Sequence, residues 1–556
     1  MHALTAPLSE LAEIEEICEE RGREPGMLLL SGCVTSQKTH LMYALGKGYG
    51  HTLIVLSSED KAKKLYEEYR FLNENTSYYP AKDLLFYQAD IHGKQLVKQR
   101  METLQMMMEA KSQVTVITTI DGFMDELPSE AEIKGDILTI SNGEALEFES
   151  LKEKIIKLGY DREAQVDGPG QFAVRGGIID IYPLTEELPI RIEFWGDEVD
   201  SIRTFDVDSQ RSVENLEQIV IYPADDRLGS DRKVSFINYF DPKDTLVFLD
   251  EPARLLEKGR LAENEVEKAR ENRAEEMERT GEMEEAPEFF TTDEIIKFLN
   301  KFCMIGMCAL EMKCKPFFVK KRFGIQAKSV NPYNSSFEML TQDLKRLKRN
   351  GYRAVLISGS RTRAKRLAED LRDYDLSSFY SEDQEREVNP GEIMVCYGHI
   401  EVGYEYPMIK FIVISESDIF GKTKKKKKRK SYDGQKISSF SDLKPGDYVV
   451  HENHGLGIYR GIEKIEVDKV TKDYMKISYA DGGNLYILAT QLDQIQKYAS
   501  ADAKKPKLNK LGGQEWHRTK SKVKTAVWQI AKDLVELYAV RQSKEGFVYE
   551  KDTVWQ

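Results

Sequence analysis

Paired cysteines, long apolar runs and an excess of positive charge are all missing from this 556-residue chain, and each absence removes a class of protein. The six cysteines (Cys18, Cys33, Cys303, Cys308, Cys314 and Cys396) are dispersed without a C-x-x-C pair, so neither a disulfide framework nor a zinc ribbon is written into the sequence. Cys303, Cys308 and Cys314 lie close together, but no histidine accompanies them and the spacing is wrong for a metal, so reduced thiols and no metal are expected. No apolar run is long enough to cross a bilayer. The opening stretch MHALTAPLSELAEIEEICEE lacks the basic and apolar regions of a signal peptide, and the expected setting is cytoplasmic. With Lys+Arg 81 against Asp+Glu 94, the formal net charge is -13. That charge excludes generic coating of DNA by the whole chain and makes any nucleic-acid contact local. The length exceeds what one core can organise and predicts about three to five domains.

The densest information present is the stretch Gly168 to Ser212. Gly168, Gly170, Gly176 and Gly177 punctuate it where turns need positive φ. Ile178, Ile179 and Ile181 form a β-branched run ended by Pro183, and Ile190, Ile192 and Phe194 alternate with Arg191, Glu193 and Trp195. If the first set faces a core, the second faces out. An outward Arg191–Trp195 stripe with Arg175 on the neighbouring strand has the composition of an interface hot spot, or of a surface cation resting on a ring of a solvated sheet.

The first segment alternates helix and strand signals, with strands at Met27–Leu30, Thr52–Leu56 and Val114–Ile117. Gly32 to Thr39 lines up with the phosphate-binding pattern G-x-x-x-x-G-K-S/T, except that Gln37 stands at the second glycine. That glycine lets the backbone curl so that its N–H groups face phosphate, and a side chain there strains the turn or fills the pocket. Far downstream, Leu246 to Glu251 is an apolar strand ending in two acids, as in a magnesium-holding strand. Lys38, Thr39, Asp250 and Glu251 therefore spell either an ATPase site or a P-loop fold that has kept its shape and lost its ligand. Gln37 favours the second, so Gly32, Gln37, Lys38, Thr39, Asp250 and Glu251 are read as a vestigial nucleotide site, with no catalytic residue assigned.

The fold class expected is multidomain α/β. Residues 1–120 form a degenerate P-loop α/β half, 121–223 an inserted β-rich module, and 224–335 the returning half with a charged helix from Arg254 to Glu288. Residues 340–420 read as a small α/β domain, with a strand at Arg353–Ser358, a basic helix at Ser360–Asp373 and a strand at Met408–Glu416. Residues 421–440, with the Lys424 to Lys430 run, read as a solvated linker that could also brush nucleic-acid phosphate. Residues 441–500 carry short strands at glycine corners, the pattern of a small β-barrel. In it His451 and His454 lack partners at ligand spacing and read as turn-stabilising. Residues 511–556 carry apolar positions Val523, Ala526, Ile530, Leu534, Leu537 and Val540 at helical spacing.

Two of these segments resemble known families. Gly168 to Ser212 is similar to the module shared by the excision-repair protein UvrB and the bacterial transcription-repair coupling factors (Mfd), through G-x-F-x-x-R-G-G, P-x-R-I-E-F-W-G-D-E and Q-R-S. The resemblance implies a UvrA-docking surface, with Arg175, Arg191 and Trp195 at the matching positions. Asp442 to Tyr459 with Asp473 to Leu488 resembles the CarD-like RNA polymerase-interacting domain, although Leu488 stands where proline is usual. That resemblance implies that an exposed strand edge, mapped to Lys476, Ile477, Ser478 and Tyr479, adds to a sheet of the polymerase β subunit. UvrB has an intact phosphate loop and the coupling factors a decayed one, so Gln37 points to the coupling factors. The implied function is an adaptor in transcription-coupled repair that joins RNA polymerase to UvrA; the alternative is a UvrB-like damage-recognition ATPase. The expected partners are the polymerase β subunit and UvrA, with a monomeric chain and no membrane. The family's translocase motifs have no counterpart here, so ATP, Mg²⁺ and most contact with double-stranded DNA are expected of the translocase and no cofactor of this chain.

Overall fold

A computed structural model describes residues 2–22, 24–82, 94–207, 209–225, 233–280, 288–311, 313–383, 386–421, 435–436, 443–451, 454–467, 470–480, 482–488, 495–498 and 506–511, with scattered positions between 515 and 534. The chain divides into two compact units, residues 1–88 with 94–428, and a second that takes in 429–556. The lysine run and most of the expected 421–440 linker and 511–556 helix lie outside the described residues.

The first unit is built on a seven-stranded sheet in the order Val319–Gly324, Gly26–Ser31, Cys303–Cys308, Thr245–Asp250, His51–Leu56, Val114–Thr119, Thr76–Tyr78. All its pairings are parallel. Its central strands are buried on both faces, which is why they read as unbroken apolar runs rather than alternating ones. Thr245–Asp250 and Cys303–Cys308 return to lie between Gly26–Ser31 and His51–Leu56, so the chain between them leaves this sheet and comes back. Cys303–Cys308 (CMIGMC) was not visible as a strand in the sequence, because it carries a single β-branched residue, Ile305. It explains two of the clustered cysteines as strand residues. Among the described residues, no group of three His, Cys, Asp or Glu is placed to hold a metal ion.

The inserted segment forms a six-stranded sheet in the order Ser212–Leu216, Glu198–Phe205, Ile190–Trp195, Ile178–Tyr182, Gln171–Arg175, Asp161–Arg162. The helix Phe148–Lys157 covers one face, burying Leu151 and Ile155 in one cluster with Phe172, Ile179, Ile181, Ile190, Ile192 and Ile202. The Gly176–Gly177 corner, with Gly176 at φ 60°, turns Gln171–Arg175 into Ile178–Tyr182 where an L side chain is strained.

A second α/β domain follows, its sheet ordered Lys328–Ser329, Tyr404–Tyr406, Phe411–Ser415, Arg353–Ser358, Ile393–Tyr397, Ser378–Tyr380. The basic helix is Arg361–Arg372. The strand expected over Met408–Glu416 is only Phe411–Ser415, because Lys410 takes a positive φ of 51° and Ser415 already caps the helix Glu416–Phe420 by accepting from the Asp418 N–H. The charged helix is Pro252–Thr280. No helix among the described residues is long and apolar enough to cross a membrane.

The second unit is an antiparallel six-stranded sheet ordered Gln435–Lys436, Ile495–Lys497, Tyr448–His451, Gly455–Val467, Val470–Ser478, Asn484–Leu488. Its core gathers Leu443, Val449, Tyr459, Met475, Ile477, Tyr479, Ile487 and Ile495. Gln435–Lys436, inside the stretch read as linker, pairs with Ile495–Lys497 as an edge of this sheet. At the 451–454 turn the His454 backbone N–H donates to His451 Nδ1 at 3.3 Å, giving His451 a turn-holding contact.

Candidate functional site: a closed phosphate loop and two surfaces

The strand Gly26–Ser31 runs through Gly32, at φ 80°, into the helix Thr35–Gly46. A Cβ on Gly32 would sit 2.5 Å from the Ile325 carbonyl oxygen, so the corner admits only glycine. The structure brings the six residues read as the nucleotide site into one cluster and shows them occupied by one another or by near neighbours. Gln37 is fully buried, and its Oε1 accepts the Val34 N–H at 3.0 Å. The amide oxygen thus takes a helix-terminal donor of the kind a phosphate oxygen takes in an open loop. Lys38 Nζ donates to Asp250 Oδ1 at 2.6 Å and to Glu251 Oε1 at 2.7 Å. Burial works against the Lys38 charge, but the two carboxylates outweigh it and hold its pKa above the ordinary lysine value. Burial likewise works to raise the Glu251 pKa, and the Lys38 ammonium overcomes it and pulls the group below the usual carboxylate range. Glu251 sits at φ 51°, a costly conformation for a side-chain-bearing residue, held by Lys38 and by the Ala309 N–H at 2.9 Å.

Thr39, the position that would hold Mg²⁺ in a working loop, instead donates its hydroxyl to Glu68 Oε2 at 2.7 Å. The other Glu68 oxygen accepts the Glu401 N–H at 2.9 Å, and Ser36 Oγ accepts the Val402 N–H at 3.2 Å. One turn on, His40 is stacked on Tyr404 and lies 3.1 Å from the Tyr406 hydroxyl through Nδ1 and 2.6 Å from the Leu4 carbonyl through Nε2. The carbonyl can only accept, so Nε2 carries the proton and Nδ1 accepts from Tyr406. Burial lowers the His40 pKa from 6.5 to about 4. The ring is neutral in the fold, while the unfolded chain takes up a proton near pH 6.5, so this contribution is present above that pH and is lost as pH falls towards 4. Acidification across that window is expected to remove about 3 kcal/mol of stability. Urea unfolding at pH 7 and pH 4.5 checks this: the loss should shrink in His40→Gln, and an equal loss in both proteins would contradict it.

On the open face of the inserted sheet, cross-strand register puts Ala173, Asp180, Arg191, Arg203 and Asn215 in one row, and Arg175, Ile178, Glu193 and Ser201 in the next. Trp195 follows at the strand end, 83% exposed, with no ring partner among the described residues. Arg175 is exposed and donates to the Ala164 carbonyl at 3.0 Å. Arg191 is not the free outward cation that alternation alone suggests. Its Nε and Nη2 reach the two oxygens of buried Asp180 at 2.7 and 2.8 Å, and its guanidinium lies 4.5 Å from the Phe205 ring centroid. The Asp180 hydrogen bonds, more than the opposing effect of burial, raise its pKa above the ordinary arginine value. Arg203 pairs with Glu193 through a single contact, Nη2 to Oε1. Trp195 and Arg175 are therefore the available groups of the three expected.

In the sheet of the second unit the expected edge is not an edge. Lys476, Ile477 and Ser478 end the strand Val470–Ser478, with Tyr479 just past it, and that strand pairs on one side with Gly455–Val467 and on the other with Asn484–Leu488. Ile477 and Tyr479 are buried in the core, while Lys476 binds Glu463 at 2.7 Å and Ser478 donates to Asn484 at 2.7 Å. The edge was implied by the family resemblance, and the following strand Asn484–Leu488 pairs along it. Among the described residues the sheet ends at Asn484–Leu488, where Tyr486 is 38% exposed beneath the Lys476 ammonium.

Comparison with known families matches residues 138–226 to the UvrB interaction domain and residues 443–499 to the CarD-like/TRCF RID domain. Over 94% of its length the chain is 30% identical to a transcription-repair-coupling factor of Bacillus subtilis, covering 49% of that protein. It is 29% identical over 95% of its length to one of Staphylococcus haemolyticus, covering 50%, and 28% over 99% to one of Staphylococcus epidermidis, covering 51%. Over most of its length the chain is similar to transcription-repair-coupling factors. It spans about half the length of the curated relatives it matches. Within the chain, the matched UvrB interaction domain holds Arg175, Arg191 and Trp195, and the matched RID domain holds both the buried strand and the edge Asn484–Leu488. Sequence reasoning missed Asp180, which fixes Arg191, and Ser36, Glu68, Glu401 and Val402, which close the loop. The Asp180–Arg191 pairing follows from the register of adjacent strands; the contacts of Glu68 with Glu401 span 333 positions and carry no local signal.

Proposed function

We propose that this chain is a two-ended adaptor of transcription-coupled DNA repair. Through Trp195 and Arg175 it docks UvrA, and through the edge Asn484–Leu488 it adds a strand to the RNA polymerase β subunit. The observation that supports this most is the presence of a UvrB interaction domain and a polymerase-interacting domain in one chain. A bare tryptophan and an exposed arginine on one face of the same sheet have the composition of an interface anchor. An unpaired sheet edge is a template for strand addition.

The first α/β domain acts as scaffold and holds no nucleotide in this reading. Its lysine, its threonine and a helix-terminal N–H are already engaged by Asp250, Glu251, Glu68 and Gln37. A triphosphate would have to displace two carboxylates from Lys38 and face them unpaired. Millimolar ATP with Mg²⁺ is expected to leave the melting temperature unchanged. Lys38→Ala, which leaves Asp250 only the more distant Lys61 and Glu251 only the Ala309 N–H, is expected to lower stability by about 3 kcal/mol with or without nucleotide. A stabilisation by ATP and Mg²⁺ that Lys38→Ala abolishes would establish the ATPase reading in its place. Docking is tested by capturing UvrA and the polymerase β subunit on the same chain.

A further inference from the structure

The small α/β domain that begins near Lys328 has no function in the account so far, yet one of its segments ends on the degenerate phosphate loop. We propose that residues 400–406 are the resident occupant of that loop, and that the former nucleotide site now serves as the latch joining the two α/β domains into one body.

Three sets of contacts carry this. Ser36 and Thr39, on the helix that would cradle phosphate and magnesium, are turned to the neighbouring domain: Ser36 accepts the Val402 N–H, and Thr39 shares Glu68 with the Glu401 N–H. Glu68 is 6% exposed, so its carboxylate depends on these donors, and a buried charge that loses a donor is costly. Tyr404 and Tyr406, at 2% and 0% exposure, close over His40, with Tyr406 donating to its ring. Opening the latch would wet both tyrosines and deprive Glu68 and His40 of partners together. The apolar contact is continuous, since Leu41, Met42 and Leu45 belong to one cluster with Val355, Ile357, Tyr404, Tyr406 and Val413. In nucleotide-driven proteins a ligand at this loop biases how neighbouring domains sit. Here a segment of the chain is bound along the helix that leads out of the loop, which fixes the arrangement without ATP.

The inference rests on the nucleotide-free reading of the loop, and the two fail differently. A nucleotide-dependent thermal shift overturns that reading, whereas the latch is tested by hydrogen exchange on the full chain. Glu68→Gln combined with Tyr406→Phe removes one acceptor and one hydroxyl with little change of volume. The expected result is exchange about tenfold faster in both 36–46 and 400–406, the two hydrogen bonds together being worth roughly that factor, while Arg353–Ser358 keeps its protection. Acceleration confined to 400–406, or no acceleration, overturns the latch. If Arg353–Ser358 also loses protection, Tyr406→Phe alone is read by the same criterion.

Discussion

Arg191→Ala is expected to destabilise the inserted module by about 3–5 kcal/mol, the cost of leaving a buried carboxylate without its partner. Asp180 is 3% exposed and meets Arg191 through two parallel contacts, and the same guanidinium covers Phe205, itself fully buried. Against a typical domain stability of about 5–15 kcal/mol, such a loss removes much of the margin. Trp195→Ala is expected to do the reverse. At 83% exposure the ring supports nothing in the free module, so its truncation changes stability by no more than about 0.5 kcal/mol. As an anchor it is expected to cost at least about 2 kcal/mol of UvrA affinity, some thirtyfold. Thermal melts paired with UvrA titrations separate the two. A module that melts normally without Arg191 would contradict the structural role, and unchanged UvrA affinity without Trp195 would remove the anchor.

The second large effect is Ile477→Asp. The side chain is fully buried among Val449, Met475, Tyr479 and Ile487, so a carboxylate there unfolds the sheet's core, at a cost of at least about 4 kcal/mol. Lost polymerase binding in that variant would therefore say nothing about contact. Tyr486→Ala addresses the contact itself. It lies on the terminal strand with its ring partly open, so the second unit is expected to stay folded while affinity for the β subunit falls about tenfold or more. Circular dichroism and a binding isotherm on both variants check this. A folded Ile477→Asp, or a Tyr486→Ala that binds normally, would contradict the edge assignment.

These two cases mark where sequence reading stops. Alternation correctly put Ile190 and Ile192 inside and Trp195 outside, because the face of a strand is set by a period of two within one segment. It did not reveal that Arg191 is engaged, since that depends on Asp180 lying opposite it across the register with Ile178–Tyr182. Similarly, Val470–Ser478 was legible as a strand, but whether it is an edge is a property of its neighbours. Gln37 at a glycine position signalled a damaged loop, a local rule broken in plain view. That Gln37 caps the helix, and that Glu68 and Glu401 finish the closure, required the tertiary structure. The parallel strands were found where apolar runs are long, as in Thr245–Asp250. Cys303–Cys308 was missed because Ile305 is its single β-branched residue.

The most direct test of the account is a sedimentation experiment on the chain with UvrA and the polymerase β subunit together, without nucleotide. The account predicts one species containing all three, reduced to the polymerase pair by Trp195→Ala and to the UvrA pair by Tyr486→Ala. Mutually exclusive binding of the two partners, or assembly that appears only when ATP is added, would contradict it.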